Sequence, residues 1–405
     1  MKIVFRNIKP TSAVFRCILK SAKRSFSLWP VPTVLLLAPL AALHAAEKPV
    51  ERVAVLLREQ AWPHLAVPLE NYLASVKRHL PVEFEVIHRE WKTPESVREE
   101  VRRLHRKKGV SGVILLGAMP MHRFFMQEFA NPNPLYYEDY NLKFVDRNQD
   151  GFDDAYRGTA KLKLWVANIR SSEKHDDDDV EGLTRFFAKA TSYHEEKLSF
   201  APRGLIITDW KAPDWETLPE WKMGCQLYGR SAMDVLDEKK QTPKNAGRTL
   251  NKKDYAFCMI GVHSDHYGHA LYQGDWNAPQ IASMKQGAAL VIAHCCFAAN
   301  WNFSEKENTG PCTAQCWLFG KGSSLAMLGQ VRSGCIGTED GRIELCRKVS
   351  EGEYLGKAYK VLKQSAEEAD AKGEQTPGDL VSGVLLLGDP FLTLPRKPGL
   401  PDPKQ

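Results

Sequence analysis

Apolar and polar residues follow two alternating patterns along the chain. Short apolar runs, typical of strands buried on both faces of a sheet, are separated by segments in which apolar residues recur every three or four positions, as in helices. Between residues 50 and 116, strands are predicted at 52–57, 82–88 and 110–116, with helices at 65–76 and 94–107 between them. This alternation predicts a parallel sheet covered by helices, and therefore the α/β fold class.

A similar alternation begins again near residue 200. It follows a stretch at 131–158 that is rich in Asn, Asp, Pro and Tyr and predicts a loop, then a strand at 162–169 and a helix at 180–193. Further strands are predicted at 204–210, 255–262, 288–293 and 383–387, and helices at 323–328 and 354–371. We therefore expect two packed α/β subdomains with mostly parallel sheets, at 47–200 and 201–396, and a C-terminal tail at 397–405.

The first 46 residues differ in composition from the rest of the chain. They contain seven basic residues and no acidic residue, and an apolar run at 31–43 ends in Ala45 and Ala46. This is the order of a secretory signal peptide, so we expect residues 1–46 to be removed and the mature protein to be secreted or periplasmic. A membrane anchor is the alternative, but Pro32 and Pro39 interrupt the run, which is shorter than the ~20 residues of a spanning helix. No stable membrane span is expected after removal of the signal.

The charge of the mature protein excludes some classes of partner. The whole chain has 55 basic and 49 acidic residues, and 48 basic residues remain when the seven of the leader are removed. A chain so close to neutral has no positive charge excess for binding nucleic acid or an anionic membrane. Of the nine cysteines, Cys17 lies in the leader, and some of the other eight could pair in an oxidising compartment.

Two predicted strands of the second subdomain end in residues that can carry chemistry. The run at 255–262 is followed by His263, and the run at 288–293 is followed by His294, Cys295 and Cys296. Reacting groups in parallel α/β sheets gather beyond the carboxyl ends of the strands, so an imidazole and a thiol could meet there. A histidine can take the proton of a thiol and later protonate a leaving amine, which is sufficient for peptide hydrolysis.

These residues resemble the gingipain-type cysteine peptidases, which have a caspase-like fold. In that family a histidine ends one strand and the nucleophilic cysteine follows the next, as do His263 and Cys296, which are 33 positions apart. The sequence IAHCC is similar to the family's ending before its nucleophile, which favours Cys296 and leaves Cys295 as the alternative nucleophile. The segments VILLGAMP, LWVANIR and LLLGDPFLTL, at 113–120, 164–170 and 385–394, resemble family segments in the same order.

The resemblance implies an exported cysteine endopeptidase that hydrolyses polypeptides through an acyl-enzyme intermediate. Residues 201–396 would be the caspase-like catalytic subdomain, and catalysis would need no cofactor. Ser264 replaces a glycine whose N–H is thought to help hold the oxyanion in the family, and a serine restricts the backbone angles there. Asp209 could orient His263, and the only argument for it is its position at the end of the strand predicted at 204–210. The alternative function is a catalytically inactive caspase-fold binding or scaffold protein.

One acidic segment resembles the first part of a calcium loop. It has oxygen ligands at positions 1, 3, 5 and 9 and glycine at position 6; the four ligands would be Asp146, Asn148, Asp150 and Asp154. Position 12 is Arg157, where an EF-hand has glutamate, so the segment is not an EF-hand. Gingipain-like enzymes carry calcium, so a structural calcium ion and a solvated acidic turn both remain open.

A second set of metal ligands is the less favoured interpretation. It would combine His263, His266 and His269 with Cys312 and Cys316. The histidine spacing is not a recognised zinc spacing, and two cysteines four positions apart need a partner pair. Cys312 and Cys316 are predicted instead to form a disulfide or to lie apart in a loop.

Overall fold

The computed structural model describes residues 50–172, 179–209, 214–302, 310–334, 336–371 and 383–399. The predicted signal peptide lies outside these residues, as does the tail beyond residue 399. The strands, in chain order, are β1 (Glu51–Arg58), β2 (Val82–Arg89), β3 (Val110–Leu116), β4 (Arg123–Met126), β5 (Phe129–Pro132), β6 (Lys143–Val145), β7 (Ala155–Arg157), β8 (Trp165–Ile169), β9 (Ala201–Thr208), β10 (Met233–Leu236), β11 (Tyr255–Gly261), β12 (His263–Ser264), β13 (Gly268–Leu271), β14 (Gly274–Asn277), β15 (Ala288–Ala293), β16 (Ala326–Gln330) and β17 (Val384–Gly388).

Ten of these strands form one sheet, in the spatial order β10, β9, β11, β15, β16, β17, β8, β3, β1 and β2. The first five are parallel to one another, and so are the last five. The two sets meet at β16 and β17, which are antiparallel. The predicted α/β class with two packed, mostly parallel units is therefore confirmed. The two sets of parallel strands are joined edge to edge in one sheet, and the boundary near residue 200 stays a prediction.

Helices cover both faces of the sheet. The helices are α1 (Trp62–Lys77), α2 (Pro94–Lys108), α3 (Leu135–Glu138), α4 (Val180–His194), α5 (Pro219–Tyr228), α6 (Pro243–Lys252), α7 (Ala278–Ala282), α8 (Thr313–Phe319), α9 (Glu339–Ser350) and α10 (Leu355–Ala371). Because both faces are covered, the central strands are apolar throughout, and every residue of β11 and of β15 is buried. Such strands are the easiest to predict from sequence.

Local signals at the helix ends explain several boundaries. Thr93 caps α2 by accepting a hydrogen bond from the N–H of Ser96, and Gly109 ends that helix in the left-handed conformation. Asp179, the last residue of the acidic run at 176–179, accepts a hydrogen bond from the N–H of Gly182 and so caps α4. The other three acidic residues of that run lie outside the described part of the chain.

Two predicted elements are wrong. The helix predicted at 323–328 is the strand β16, because this apolar run is buried on both faces between β15 and β17. The loop predicted at 131–158 contains the end of β5, the single-turn helix α3 and the hairpin of β6 and β7. Among the helices that the structure describes, none is both long and apolar enough to cross a membrane.

Candidate active site

The ends of β11 and β15 bring two reactive residues to the same edge of the sheet. The strands pair in parallel, with Tyr255 opposite Ala288 and Ile260 opposite Ala293. His263 and Cys296 each follow three residues after the last paired position, Ile260 and Ala293 respectively. Since neighbouring parallel strands lie roughly 4.8 Å apart, the segments that carry these two residues begin beside each other at the same edge of the sheet.

His263 is exposed and begins a small antiparallel sheet. It pairs with Ala270 where β12 runs against β13. Within the described residues its ring makes no hydrogen bond or ion pair, so it is not bonded to Cys296. The hydroxyl of Ser264 donates to the carbonyl oxygens of Gly268 (2.7 Å) and Asp265 (3.1 Å). Ser264 does not have a positive φ, so serine in place of glycine causes no left-handed strain there.

Cys296 is partly exposed, and its sulfur faces the loop that follows β16. The backbone N–H of Gly334 points at Sγ from 3.3 Å, and the hydroxyl oxygen of Ser333 lies 3.4 Å from it. An N–H directed at a sulfur stabilises negative charge that develops there. Of the two neighbouring cysteines, Cys296 is therefore the one with both access and a donor for its charged form.

Cys295 is buried and turns to a different histidine, His269. Its Sγ lies 3.8 Å from Nδ1 of His269, while the indole N–H of Trp317 donates to Nε2 at 3.4 Å. An indole N–H only donates, so Nε2 carries a lone pair and the proton of the neutral ring is on Nδ1, facing the sulfur. Burial lowers the pKa of His269 to about 4 despite the opposing charge of Asp265, so the ring stays neutral. This ring cannot accept a proton from Cys295 at Nδ1.

Asp209 lies directly after β9, which ends at Thr208, two residues before the end of the strand predicted there. Its backbone N–H donates to the carbonyl oxygen of Gly261 at 3.3 Å, which holds it beside the end of β11. In the part of the chain that the structure describes, its carboxylate is not hydrogen-bonded to His263. Its orienting role therefore stays a prediction.

The rival zinc ligands do not form one set. Cys312 caps α8 and Cys316 lies within that helix, where its N–H bonds to the carbonyl oxygen of Cys312. Burial raises the pKa of the Cys312 thiol to about 11. The described cysteines are all free, so Cys312 and Cys316 form no disulfide. The alternative prediction, that they lie apart in a loop, is also wrong, because they lie at the start of a helix and within it. No group of three or more His, Cys, Asp or Glu side chains is arranged to hold a metal among the described residues.

The side chains predicted to bind calcium are engaged in hydrogen bonds within their own loop. The carboxylate of Asp146 accepts the N–H groups of Gln149 (2.7 Å) and Gly151 (2.8 Å). Asn148 and Asp150 bond to each other at 3.0 Å. Asp154 instead accepts from the backbone and guanidinium of Arg147, which lowers the pKa of its carboxyl group. The loop as folded does not present the four as one ligand set, and calcium binding stays a prediction.

Sequence reasoning missed the part of the site that comes from the loop at 331–334. The reason is the wrong assignment of β16, since a predicted helix gives no strand end there. The signal was present: the apolar run at 325–331 is short and is followed by Arg332, Ser333 and Gly334, a polar ending typical of a strand edge. Gln127, which contacts this loop, gave no sequence signal.

The Gly-Asp-Pro sequence in the segment at 385–394 is structural in this chain and lies away from Cys296. Asp389 is fully buried and accepts hydrogen bonds from Tyr72 (2.6 Å) and from the N–H of Phe391 (2.9 Å). It also pairs with His194 at 2.8 Å. A cavity of about 760 Å³ lies beside this network, with His194 and Phe391 in its wall.

Comparison with known proteins identifies a fold. No family model matches the chain, and no curated protein matches it. A solved structure described as "Structure of Protease" is 15% identical, with a TM-score of 0.61 over 86% of this chain and 79% of that one. A D-allose-bound periplasmic solute-binding protein from Actinobacillus succinogenes is 8% identical, with a TM-score of 0.18 over 84% of this chain and 97% of its own. The TM-score of the solute-binding protein is too low to indicate a shared fold. The comparison with the structure described as a protease shows that this chain has the same fold, and it shows nothing further.

Proposed function

We propose that the protein is an exported cysteine endopeptidase in which His263 and Cys296 form the catalytic dyad. The observation that carries this proposal is their equivalent position after two neighbouring parallel strands. The partial exposure of Cys296 and the N–H of Gly334 at its sulfur support it further. The fold shared with a structure described as a protease favours polypeptides as substrates.

The chemistry follows from the two side chains. His263 accepts the thiol proton of Cys296, and the thiolate attacks the carbonyl carbon of the scissile peptide bond. The C–N bond then breaks, the leaving amine takes the proton from the imidazolium, and a thioester to Cys296 remains. His263 next removes a proton from water, and the hydroxide that forms attacks the carbonyl carbon of the thioester. The C–S bond then breaks, the acid leaves, and the imidazolium returns its proton to the thiolate of Cys296. Hydrogen bonds of this kind often form fully only with substrate bound, and the exposed ring of His263 has room to turn toward the sulfur.

Location and metal content belong to the same proposal. The leader at 1–46 supports secretion or a periplasmic location, and the chemistry at the dyad needs no cofactor. A structural calcium ion at the loop of Asp146 and Asp150 would require Asp154 to leave Arg147 first.

The proposal is tested by mapping the reactive thiol. Mature protein is treated with iodoacetamide, and alkylation of each cysteine is followed by peptide mass spectrometry together with hydrolysis of labelled casein. Cys225 is the internal reference, because it is also partly exposed and burial raises the pKa of its thiol. We expect Cys296 to react first and Cys296→Ala to abolish hydrolysis.

Two further variants complete the test. His263→Ala should reduce hydrolysis by about 100-fold or more at an unchanged thermal midpoint. Cys295→Ala should keep the activity and lose only stability. If Cys295→Ala abolishes hydrolysis while Cys296→Ala spares it, the nucleophile is misassigned. If Cys296 reacts no faster than Cys225 and casein is not cleaved, the inactive binding or scaffold protein replaces the enzyme.

A further inference from the structure

The hairpin formed by β4 and β5 reaches from the first half of the chain to the segment after Cys296. The ring of Phe129 packs edge-on against that of Phe297, with 5.8 Å between centroids. Behind it, the side-chain amide of Asn300 donates to that of Asn131 at 2.6 Å, and both residues are almost completely buried. Asn302 adds a bond to the carbonyl oxygen of Ala130. These contacts hold β5 against the segment after Cys296, and neither of the two turn residues takes part in them.

The tip of the hairpin holds the loop that follows β16. Gln127 and Glu128 form the two-residue turn, with φ of 50° and 72°. The side-chain oxygen of Gln127 accepts the backbone N–H of Ser333 at 2.8 Å, and its amide nitrogen lies 3.4 Å from the carbonyl oxygen of Ser333. One side chain thus bonds to both backbone groups of a single residue.

Ser333 is joined directly to the residue that faces the nucleophile. The next N–H along the chain, that of Gly334, is the one directed at Sγ of Cys296. This N–H and the carbonyl oxygen of Ser333 belong to one planar peptide unit. The contact of Gln127 with that oxygen therefore restrains the unit that carries the N–H, and its contact with the N–H of Ser333 restrains the preceding unit.

We infer that Gln127 is a positioning residue for the proposed reaction: by holding Ser333, it keeps the N–H of Gly334 directed at the sulfur of Cys296. This inference rests on the proposed function, since it assigns Gln127 a part in stabilising the thiolate that attacks. Loss of the contact lets the loop sample other orientations, so fewer molecules have the donor in place at any moment. The effect falls on the reactivity of the thiol, and therefore on kcat, more than on substrate affinity.

The test compares Gln127→Ala with Glu128→Ala, its matched control. Glu128 is the other residue of the same turn, is exposed, and makes no hydrogen bond or ion pair within the described residues. Each variant is assayed for the rate of Cys296 alkylation by iodoacetamide, for kcat and KM on casein-derived peptides, and for its thermal midpoint. Gln127→Ala should slow alkylation and lower kcat by about fivefold each, the factor expected for one hydrogen bond. KM and the thermal midpoint should change little, and Glu128→Ala should behave as wild type.

The outcomes separate this inference from the proposal on which it rests. If wild-type Cys296 reacts rapidly and Gln127→Ala reacts equally fast, the inference is wrong and the dyad stands. A fall in KM with unchanged alkylation would also overturn it, because Gln127 would then block the substrate. If wild-type Cys296 is unreactive and peptides are not cleaved, the proposed function itself fails. Equal losses in both turn variants would indicate damage to the hairpin and contradict a specific role for Gln127.

Discussion

Neighbouring residues of the same type have unlike surroundings at the candidate site. Cys295 and Cys296 follow one strand, and successive side chains of an extended segment point to opposite sides. One thiol is therefore packed against His269 and Trp317 inside the protein, and the other faces Gly334 at the surface. The resemblance favoured Cys296 and kept Cys295 as the alternative, and the burial of Cys295 adds a physical reason to choose Cys296.

His269 leads to a prediction about acid stability. Its pKa is lowered from 6.5 to about 4 by burial, so the unfolded chain binds a proton between these pH values and the folded protein does not. The contribution of this group to the free energy of unfolding is thus fully present above pH 6.5 and is lost as the pH falls toward 4. The loss amounts to about 3 kcal/mol. Burial, and next the charge of Arg342, also lower the pKa of His294 to about 4. His294 should therefore add to the loss of stability at low pH.

The contribution of His269 can be isolated with His269→Gln, which can still accept from the indole of Trp317. Urea unfolding is measured for wild type and variant at pH 7 and at pH 4. The difference in unfolding free energy should shrink by about 3 kcal/mol between the two pH values, since only wild type loses the histidine contribution. A difference that stays constant with pH would show that His269 is not held neutral.

At the scale of elements, the sequence was informative where a strand is buried on both faces. Strands β11 and β15 are continuous apolar runs, and so β15 was predicted with its observed bounds and β11 to within one residue. Strand β16 is also apolar, but its length fits a helical turn as well as a strand, and only its burial between β15 and β17 decides. The short hairpins depend on contacts with distant segments, such as that of Gln127 with Ser333, which no local pattern reveals.

Strand packing also explains a glycine in β3. Gly112 pairs with Trp165 of β8, and a Cβ atom on Gly112 would lie 2.0 Å from Cε2 of that indole. Trp165 is a large, fully buried side chain and cannot move aside without disturbing the core. Gly112→Ala should therefore lower the unfolding free energy by about 3 kcal/mol.

Gly247→Ala is the control for that substitution. Gly247 lies inside α6, and a Cβ atom there would have no neighbour within 4 Å. Alanine should raise the unfolding free energy by up to about 1 kcal/mol at this position, because it favours the helix. Both variants are compared by urea titration, and equal behaviour of the two would contradict the packing argument for Gly112.

Contacts between segments far apart in the sequence hold the molecule together. Besides the pairing of β16 with β17, a buried ion pair joins Lys363 of α10 to Glu138 of α3, with neither side chain exposed. Burial raises the pKa of Glu138, although the charge of Lys363 opposes this. Such a pair is costly to break, because the remaining partner would be a buried group without its counter-charge.

Replacement of one partner should accordingly destabilise the whole chain. Lys363→Met is expected to lower the unfolding free energy by about 3–5 kcal/mol, and the double variant Lys363→Met/Glu138→Met should recover much of that loss. Urea unfolding is followed by tryptophan fluorescence and by far-UV circular dichroism, which should report one common transition. Separate transitions by the two probes, or additive losses in the double variant, would contradict a single unit joined by this pair.

The position of β17 affects when the sheet can be completed. β17 is the last strand of the sheet to be synthesised, yet it lies in the middle, between β16 and β8. Its lead-in residue, Gly383, also accepts the N–H of Val331 at the start of the loop that faces Cys296. A nascent chain that has not reached this point can form strands on either side but cannot join them. The strand that joins the two sets, and the bond that Gly383 makes to Val331, can therefore form only after the strands on both sides have been synthesised.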